Sequence, residues 1–234
     1  MRFLGLIGAR GGSKGIPRKN LVDLAGHPLI YYTFREAQQS KLLDRVVLST
    51  DDPEIAELAR RSGIEVPFMR PAHLASDTAA LGDAIQHAIE FLQIYDGYEP
   101  DAILLLQPTS PLRTSKHIDE ALTLFDTEGA DSVISLSTPQ EHPWDMVYFE
   151  DQQMHFARDK YSELTNRQTY REFFYINGAI YITRVDLFAK HRHFWAGRIV
   201  PYHMDVLDSI DVDSESDLVI ADCLLRHRET LSQR

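Results

Sequence analysis

Short apolar runs alternate with amphipathic stretches up to about residue 136, and this alternation predicts a repeated strand–helix fold. The apolar runs predict strands at Phe3–Ala9, Arg45–Thr50, Glu65–Phe68, Asp101–Leu106 and Asp131–Leu136. The stretches between them predict helices at Pro28–Gln39, Glu54–Ser62, about Leu81–Tyr95 and Ser115–Asp126. Because repeated strand–helix units bring successive strands into a parallel sheet, we expect an α/β protein with helices on both faces of that sheet.

The regular pattern stops between Pro139 and Phe174, where the sequence becomes polar, aromatic-rich and irregular. We interpret this stretch, at about 140–175, as an arm inserted into a single domain that spans residues 1–234. Short strands are expected within the arm at Met146–Phe149 and Met154–Ala157. Beyond it the pattern predicts strands at Asn177–Thr183 and Ile199–His203 and a helix at Ser214–Arg228.

Composition narrows the range of partners. Hydrophobic residues make up 44% of the 234 residues, as in globular proteins, while a formal charge of −11 argues against a nucleic-acid partner. The N-terminal apolar run is too short for a secretion signal or a membrane span, which needs about 20 apolar residues. The single cysteine, Cys223, cannot form an internal disulfide and is expected to be a buried apolar residue. We therefore expect a cytoplasmic protein without a membrane partner.

The loop at 9–20, ARGGSKGIPRKN, follows the first predicted strand directly. Its glycines let backbone N–H groups approach an anion, and four basic side chains supply positive charge: Arg10, Lys14, Arg18 and Lys19. The glycines fall at positions 11, 12 and 15, which excludes both the Walker A loop and the dinucleotide-binding fingerprint. The loop therefore suits a triphosphate, and the plain alternative is a flexible basic turn.

Three later segments are weaker signals when taken separately. The segment 70–79 reads as a polar loop in which Asp77 or Thr78 caps the next helix. The segment 107–113 follows a buried strand, so Thr109, Ser110 and Arg113 either form a turn that ends in a surface arginine or contact a ligand directly. Asp211 and Asp213 alternate as in a strand, so their carboxylates would point the same way and could share a hard cation. As an isolated pair they are better explained as a surface strand end or a helix cap.

Taken together and in order, these segments resemble one family. ARGGSKGIPRKN, RPAHLASDTA, LQPTSPLR, NGAIY and DSIDVDS are similar to motifs of the acylneuraminate cytidylyltransferases, which include CMP-sialic acid synthetases and relatives acting on legionaminic or pseudaminic acid. The resemblance implies a Rossmann-like, mostly parallel sheet flanked by helices. It also implies a Mg²⁺-dependent enzyme that joins CMP from CTP to an acidic nine-carbon sugar and releases pyrophosphate.

The resemblance further implies a role for individual residues. Nucleotide contacts fall on Arg10, Gly11, Gly12, Ser13, Lys14, Lys19, Asn20, Arg70, Asp77 and Ala79. Sugar contacts fall on Gln107, Arg167, Asn177, Tyr181, Phe194 and Trp195. Catalysis falls on Arg10, Lys19 and Asp211, and Mg²⁺ ligation on Asp211 and Asp213. Arg70 would read the cytosine, and Arg167 would pair with the sugar carboxylate.

Assembly and substrate identity stay open at this point. In the family Phe194 and Trp195 are expected to cross a subunit interface, in a homodimer or a homotetramer. Trp144 follows the pair His142–Pro143 where some sialic acid enzymes have a lysine, so the particular acid is not fixed. The alternatives are a metal-dependent glycosyltransferase that uses the Asp-x-Asp pair, another sugar nucleotidyltransferase, and an inactive nucleotide-binding module.

Overall fold

A computed structural model describes residues 1–13, 15–157 and 171–232. Its strands are β1 Phe3–Gly8, β2 Asp23–Leu24, β3 His27–Pro28, β4 Arg45–Ser49, β5 Ala102–Leu106, β6 Ser132–Ser137, β7 Val147–Glu150, β8 Gln153–Phe156, β9 Tyr175–Arg184 and β10 Ile199–His203. Its helices are α1 Leu29–Gln39, α2 Pro53–Arg61, α3 Leu81–Asp96, α4 Ser115–Thr127, α5 Val185–His191 and α6 Glu215–Ser232.

The central sheet has the strand order β10-β6-β9-β5-β1-β4. Strand β1 is parallel to β4 and β5, and β10 is parallel to β6, whereas β9 is antiparallel to both of its neighbours. The chain enters β9 from the irregular stretch rather than from a crossover helix, so β9 can lie directly beside β6 in the opposite direction. The prediction of a mostly parallel, Rossmann-like α/β sheet is confirmed.

Side chains that alternate along β1 divide the core into two layers. Phe3 and Ile7 pack with residues of α1, α2 and α4 on one face, and Leu4 and Leu6 pack with residues of α3 and α5 on the other. All four are at most 7% exposed. A strand buried on both faces reads as an unbroken apolar run, which explains why the FLGLIG segment shows no polar alternation.

Most predicted elements are confirmed to within a few residues, and the departures have simple causes. The segment 65–68 is not a strand: only Glu65 forms a bridge, with Val47, so the apolar run there is a loop packed on the sheet edge. The short helix α5 and the two-residue strands β2 and β3 fall below the length that periodicity can detect. Cys223 is exposed on α6, which corrects the expectation that it is buried.

Strands β7 and β8 pair as a hairpin and carry large apolar side chains on their surface. The exposed members are Met146, Val147, Tyr148, Phe149 and Met154. This hairpin occupies the first part of the predicted arm, and the assignment of 140–175 as an inserted arm stays a prediction. No helix among the described residues combines the length and the apolar character needed to cross a membrane.

The strand order fixes where a ligand can bind. The chain leaves β1 toward β4 on one side, and β5 lies on the other side of β1, so the carboxyl ends of β1 and β5 flank a point where the strand order reverses. In open α/β sheets a crevice forms at such a point. The loops that follow β1 and β5, at 9–20 and 107–114, meet there.

Candidate active site

A cavity of about 430 Å³, here called the polar cavity, opens at the carboxyl ends of β1 and β5. The loop after β1, the loop after β5 and the segment before α6 contribute to it. It is lined by Gly8, Arg10, Gly12, Ser13, Gly15, Lys19, Asn20, Leu81, Leu105, Gln107, Pro108, Thr109 and Asp213. The fold thus brings together segments that are about 100 residues apart in sequence, as the order of the motifs suggested.

The basic loop is held in shape by its own polar side chains. The Ser13 hydroxyl donates to the Ile16 carbonyl and accepts from the Lys19 backbone N–H at 3.2 Å, and Asn20 Nδ2 donates to the Arg10 carbonyl at 3.0 Å. A Cβ atom on Gly15 would stand 2.6 Å from the Asp213 carbonyl oxygen. Only glycine therefore allows the loop to approach the segment that carries the two aspartates.

The basic side chains at this cavity are paired with carboxylates. Arg10 Nη1 lies 2.8 Å from Asp77 Oδ1, and Lys19 Nζ lies 2.8 Å from Asp213 Oδ1 and 3.0 Å from the Val212 carbonyl oxygen. The Gly11 N–H likewise donates to Asp51 Oδ1 at 3.0 Å. Bound phosphate would have to take over these donors from the carboxylates. Lys14 lies outside the described residues.

Arg70 lies beneath the cavity rather than on its lining. Its Nε donates to Ser49 Oγ at 3.0 Å and its Nη2 to the Ser49 carbonyl at 2.7 Å, and burial lowers its pKa from the usual range. A Cβ on Gly8 would lie 3.6 Å from Arg70 Nη2. Near Asp77, the Ala79 N–H donates to the Ser76 carbonyl at 3.2 Å, so in this structure both residues shape the loop 76–79.

A second cavity of about 220 Å³, here called the aromatic cavity, adjoins the first and shares Leu81, Leu105 and Gln107 with it. It is lined by Leu81, Gly82, Ile85, Leu105, Gln107, Tyr181, Phe188, Arg192, His193, Phe194 and Trp195. The Tyr181 ring lies 5.6 Å from the Phe194 ring and 5.7 Å from the Trp195 ring, the latter perpendicular to it. Gln107 therefore stands between a basic compartment and an aromatic one.

Asp211 and Asp213 differ in their surroundings. Asp211 Oδ1 is buried and accepts no hydrogen bond, and burial, reinforced by the charge of Asp213, raises the pKa of Asp211 above its usual range although Thr109 and Lys19 oppose the shift. Asp213 is 73% exposed and pairs with Lys19. A buried carboxylate oxygen without a hydrogen-bond partner, beside a second carboxylate, is what a hard cation would satisfy, because the cation would neutralise both charges. The pair therefore fits Mg²⁺.

Two aspartates are a small donor set. The described part of the chain contains no group of three or more His, Cys, Asp or Glu residues placed to hold a metal ion. Mg²⁺ commonly uses one or two carboxylates together with phosphate oxygens and water, so a pair suffices where a triphosphate supplies the remaining ligands. The cation would then bind together with the nucleotide.

Comparison with known proteins shows the family. Residues 4–196 match the sequence profile described as cytidylyltransferase. The chain belongs to the cytidylyltransferase family. Among its relatives, N-acylneuraminate cytidylyltransferase of Streptococcus agalactiae is 33% identical over 94% of this chain and 52% of its own length. CMP-N,N'-diacetyllegionaminic acid synthase of Legionella pneumophila is 32% identical over 96% of this chain and 97% of its own length.

Solved structures of this family's fold support the architecture. A CMP:2-keto-3-deoxy-manno-octonic acid synthetase, in a structure complexed with CTP, matches 97% of this chain and 100% of its own chain with a TM-score of 0.71 at 16% identity. The fold is therefore shared at low sequence identity. The chain spans about half the length of the Streptococcus cytidylyltransferase that it matches.

Several residues singled out from the sequence lie in places that bear on their expected roles. Asn177 is 2% exposed, and its amide is used internally by Ser135 and Ser209, so it lies off both cavities. Phe194 and Trp195 line a cavity of their own chain, and the expectation that they reach a neighbouring subunit stays a prediction. Arg113 is 1% exposed, which excludes the reading of this residue as a surface cation. Arg167 lies outside the described residues.

Other residues enter the site without a signal in the sequence. Thr109 lines the polar cavity and interacts with Asp211, although its sequence context reads as an ordinary turn. Gly178 has a φ of +77°, and a Cβ there would lie 3.6 Å from both Asp211 Oδ2 and Gln107 Oε1. A glycine followed by an apolar strand hints at a bulge. That Gly178 faces Asp211 and Gln107 could not be predicted from the sequence, because the fold brings these residues together.

Proposed function

We propose that this chain is a cytidylyltransferase that transfers CMP from CTP to a nonulosonic acid, an acidic nine-carbon sugar of the sialic type, and releases pyrophosphate. The observation that carries the proposal is the junction of the two cavities at Gln107. A basic, glycine-rich compartment suits a triphosphate, and an aromatic compartment suits the carbon skeleton and N-acyl groups of a sugar. The choice of CTP as the nucleotide and of a nonulosonic acid as the sugar rests on the names of the relatives.

The nucleotide would lie against the basic loop. Backbone N–H groups near Gly12 and the side chains of Arg10 and Lys19 are placed to meet phosphate oxygens once their carboxylate partners are displaced. The hydroxyl on the anomeric carbon of the sugar attacks the α-phosphorus, the bond from that phosphorus to the β-phosphate oxygen breaks, and the hydroxyl proton passes to solvent. Lys19 would offset the charge that accumulates on pyrophosphate.

The sugar would occupy the aromatic cavity with its reactive end toward Gln107. Tyr181 and Trp195 offer ring faces, and Gln107 offers an amide that can pair with a sugar hydroxyl or amide. Arg192 lines the same cavity and would supply a positive charge for an acidic ligand. The pairing of Arg167 with the sugar carboxylate remains a prediction.

Mg²⁺ would be held by Asp211 and Asp213. When bound, it would neutralise phosphate charge and lower the pKa of the attacking hydroxyl. Asp213 would exchange its ion pair with Lys19 for the cation, which frees Lys19 to turn toward the phosphates. The buried Oδ1 of Asp211 would gain the partner that it lacks.

The proposal extends to assembly and location. The apolar side chains of the β7–β8 hairpin favour a homodimer formed through the predicted arm, since an exposed apolar patch of this kind is typical of an interface. A homotetramer is the larger alternative, and mass measurement in solution would separate the two. The enzyme would act in the cytoplasm, where CTP is available, without a nucleic-acid or membrane partner.

Pyrophosphate release tests the activity directly. The full chain is incubated with CTP, Mg²⁺ and, separately, N-acetylneuraminic, legionaminic and pseudaminic acids. Reactions with ATP or UTP in place of CTP, and with an eight-carbon keto acid in place of the nine-carbon ones, serve as matched controls. We expect release with CTP and at least one nine-carbon acid, together with a product that has the mass of the CMP-sugar.

The alternatives give other results. Consumption of a CMP-sugar only in the presence of an acceptor would indicate a glycosyltransferase. Release with another nucleotide or another sugar class would indicate a different nucleotidyltransferase. Nucleotide binding without turnover on any acid would indicate an inactive binding module.

A further inference from the structure

Arg113 is the largest fully buried side chain among the described residues, although a guanidinium is costly to remove from water. Burial lowers its pKa to about 10, and no carboxylate among the described residues forms an ion pair with it. Its hydrogen bonds go instead to two backbone carbonyls and one hydroxyl. Because neutral oxygens alone accept these hydrogen bonds, pairing of opposite charges does not explain why a guanidinium is buried here.

The two carbonyls lie where β5 and β9 stop pairing: Gln107 directly follows β5, and Ala179 lies within β9. Arg113 Nη1 donates to the Gln107 carbonyl at 3.1 Å and to the Ala179 carbonyl at 2.9 Å. Strands β5 and β9 pair as far as Leu105 opposite Tyr181, and two further steps of that register would place Gln107 opposite Ala179. The guanidinium of Arg113 thus occupies the place where Gln107 and Ala179 would pair if the two strands continued, and it donates a hydrogen bond to the carbonyl of each residue.

The separation of the strands has a local cause on β9. Between its pairings with Ile134 and Leu136 of β6, β9 advances from Tyr181 to Ile176, so it carries a bulge that includes Gly178. A bulge releases backbone carbonyls from the ladder, and a released buried carbonyl needs a donor. The guanidinium supplies that donor for Ala179. Nη2 also donates to Thr33 Oγ1 at 2.8 Å, and that hydroxyl faces the Gln107 carbonyl at 3.4 Å.

We propose that Arg113 is a positioning residue that holds β5 and β9 apart at the junction of the two cavities and thereby fixes Gln107 for recognition of the acceptor. The inference rests on the proposed function, because it acts through the contact between Gln107 and the sugar. Its effect is selective: acceptor binding depends on it, whereas the nucleotide loop at 9–20 is held by separate hydrogen bonds.

The test compares Arg113→Lys with wild type in steady-state kinetics. Lysine keeps the charge but not the planar fork, so it cannot reach both carbonyls and the Thr33 hydroxyl together. We expect the KM for the acid to rise about tenfold, as for a lost buried hydrogen-bond arrangement, and the KM for CTP to stay within about twofold. Calorimetric titration of the acid should show the same loss of affinity.

Two further variants keep the test decisive. Arg45→Lys is the control, because Arg45, whose side chain is 19% exposed, also bridges two partners, Glu65 and Asp96, but at the amino end of β4, away from the site. It should leave both KM values unchanged. Should Arg113→Lys fail to fold, Thr33→Val removes one partner at nearly constant volume and should raise the KM for the acid about threefold.

A double-mutant cycle with Gln107→Ala shows whether Arg113 acts through Gln107. In the Gln107→Ala background, Arg113→Lys should change the KM for the acid by less than about twofold, because residues that act through one another are not additive. Additive effects, or an equal rise in both KM values, would overturn the inference. Absence of turnover in the wild type would instead count against the proposed function, so the two failures are distinguishable.

Discussion

The polar and aromatic cavities share three residues but are stabilised by different interactions. The polar cavity is closed by ion pairs that link separate loops, and each pair has an exposed carboxylate: Asp77 is 54% and Asp213 is 73% exposed, while their partners Arg10 and Lys19 are 34% and 17% exposed. The aromatic cavity is built on packed rings, with Phe188 and Phe194 5.2 Å apart and both at most 7% exposed. The side chains of the polar cavity can exchange their ion-pair partners, whereas the aromatic cavity is preformed.

This difference matches what each compartment would bind. Exposed ion pairs contribute about 0–1 kcal/mol each, so a triphosphate with its cation can replace them at small cost. Ring packing and buried hydrogen bonds resist rearrangement, which suits recognition of a sugar by shape. We therefore expect substitutions on the polar side to alter turnover and salt dependence, and those on the aromatic side to alter acceptor KM.

The largest expected effect comes from Asp211→Asn. The variant removes the buried carboxylate charge that has no hydrogen-bond partner at Oδ1. Since a bound metal ion supplies several kcal/mol of charge stabilisation, kcat should fall at least about a thousandfold. CTP binding, measured by calorimetry, should weaken by less than about tenfold because the basic loop is untouched.

Asp213→Asn is the matched control for this prediction. It removes an exposed carboxylate that already pairs with Lys19, so its loss of kcat should be smaller than that of Asp211→Asn. Metal titration of both variants should show the larger loss of Mg²⁺ dependence for Asp211→Asn. The reverse order would contradict the view that the buried carboxylate is the main ligand.

Lys19→Ala should have the next largest effect. The ammonium that now pairs with Asp213 would be missing when pyrophosphate leaves, and kcat should fall about a hundredfold, as for loss of one charge-stabilising donor. Lys19→Arg keeps the charge and should recover part of the activity. Single-turnover kinetics would locate the defect, and a normal chemical step in Lys19→Ala would rule out this role.

Trp195→Ala tests the preformed compartment. Trp195 is 45% exposed and packs edge-on against Tyr181, so its ring is available to a ligand. Loss of one aromatic contact, about 0.5–1.5 kcal/mol, should raise the KM for the acid up to about tenfold while the KM for CTP stays constant. A larger rise in the KM for CTP than in the KM for the acid would show that the aromatic cavity binds the nucleotide and not the sugar.

The polar cavity could be predicted from the sequence more completely than the aromatic cavity. Local patterns predicted the basic loop and the strands that carry it, because glycines, charges and apolar runs are read within a few residues. That the segments at 107–113 and 211–213 lie beside the basic loop was predicted from the order of the family motifs, because the sequence alone gives no distances between them. The burial of Arg113 and Asn177 could not be predicted, because it depends on a bulge in β9 and on partners from distant strands, which no local pattern encodes. Contact of Asn177 with the sugar stays a prediction.

The smallest expected effect concerns the ion pair between Arg10 and Asp77. In Asp77→Asn the carboxylate no longer competes with phosphate for Arg10, so the KM for CTP should fall, by at most about fivefold at low salt. Because the pair is exposed, the difference from wild type should vanish at about 1 M salt, where screening acts within about 3 Å. Kinetics across a salt series measure this. A rise in KM that persists at high salt would mean instead that Asp77 contacts the nucleotide directly, and the exchangeable character of the polar compartment would have to be given up at this position.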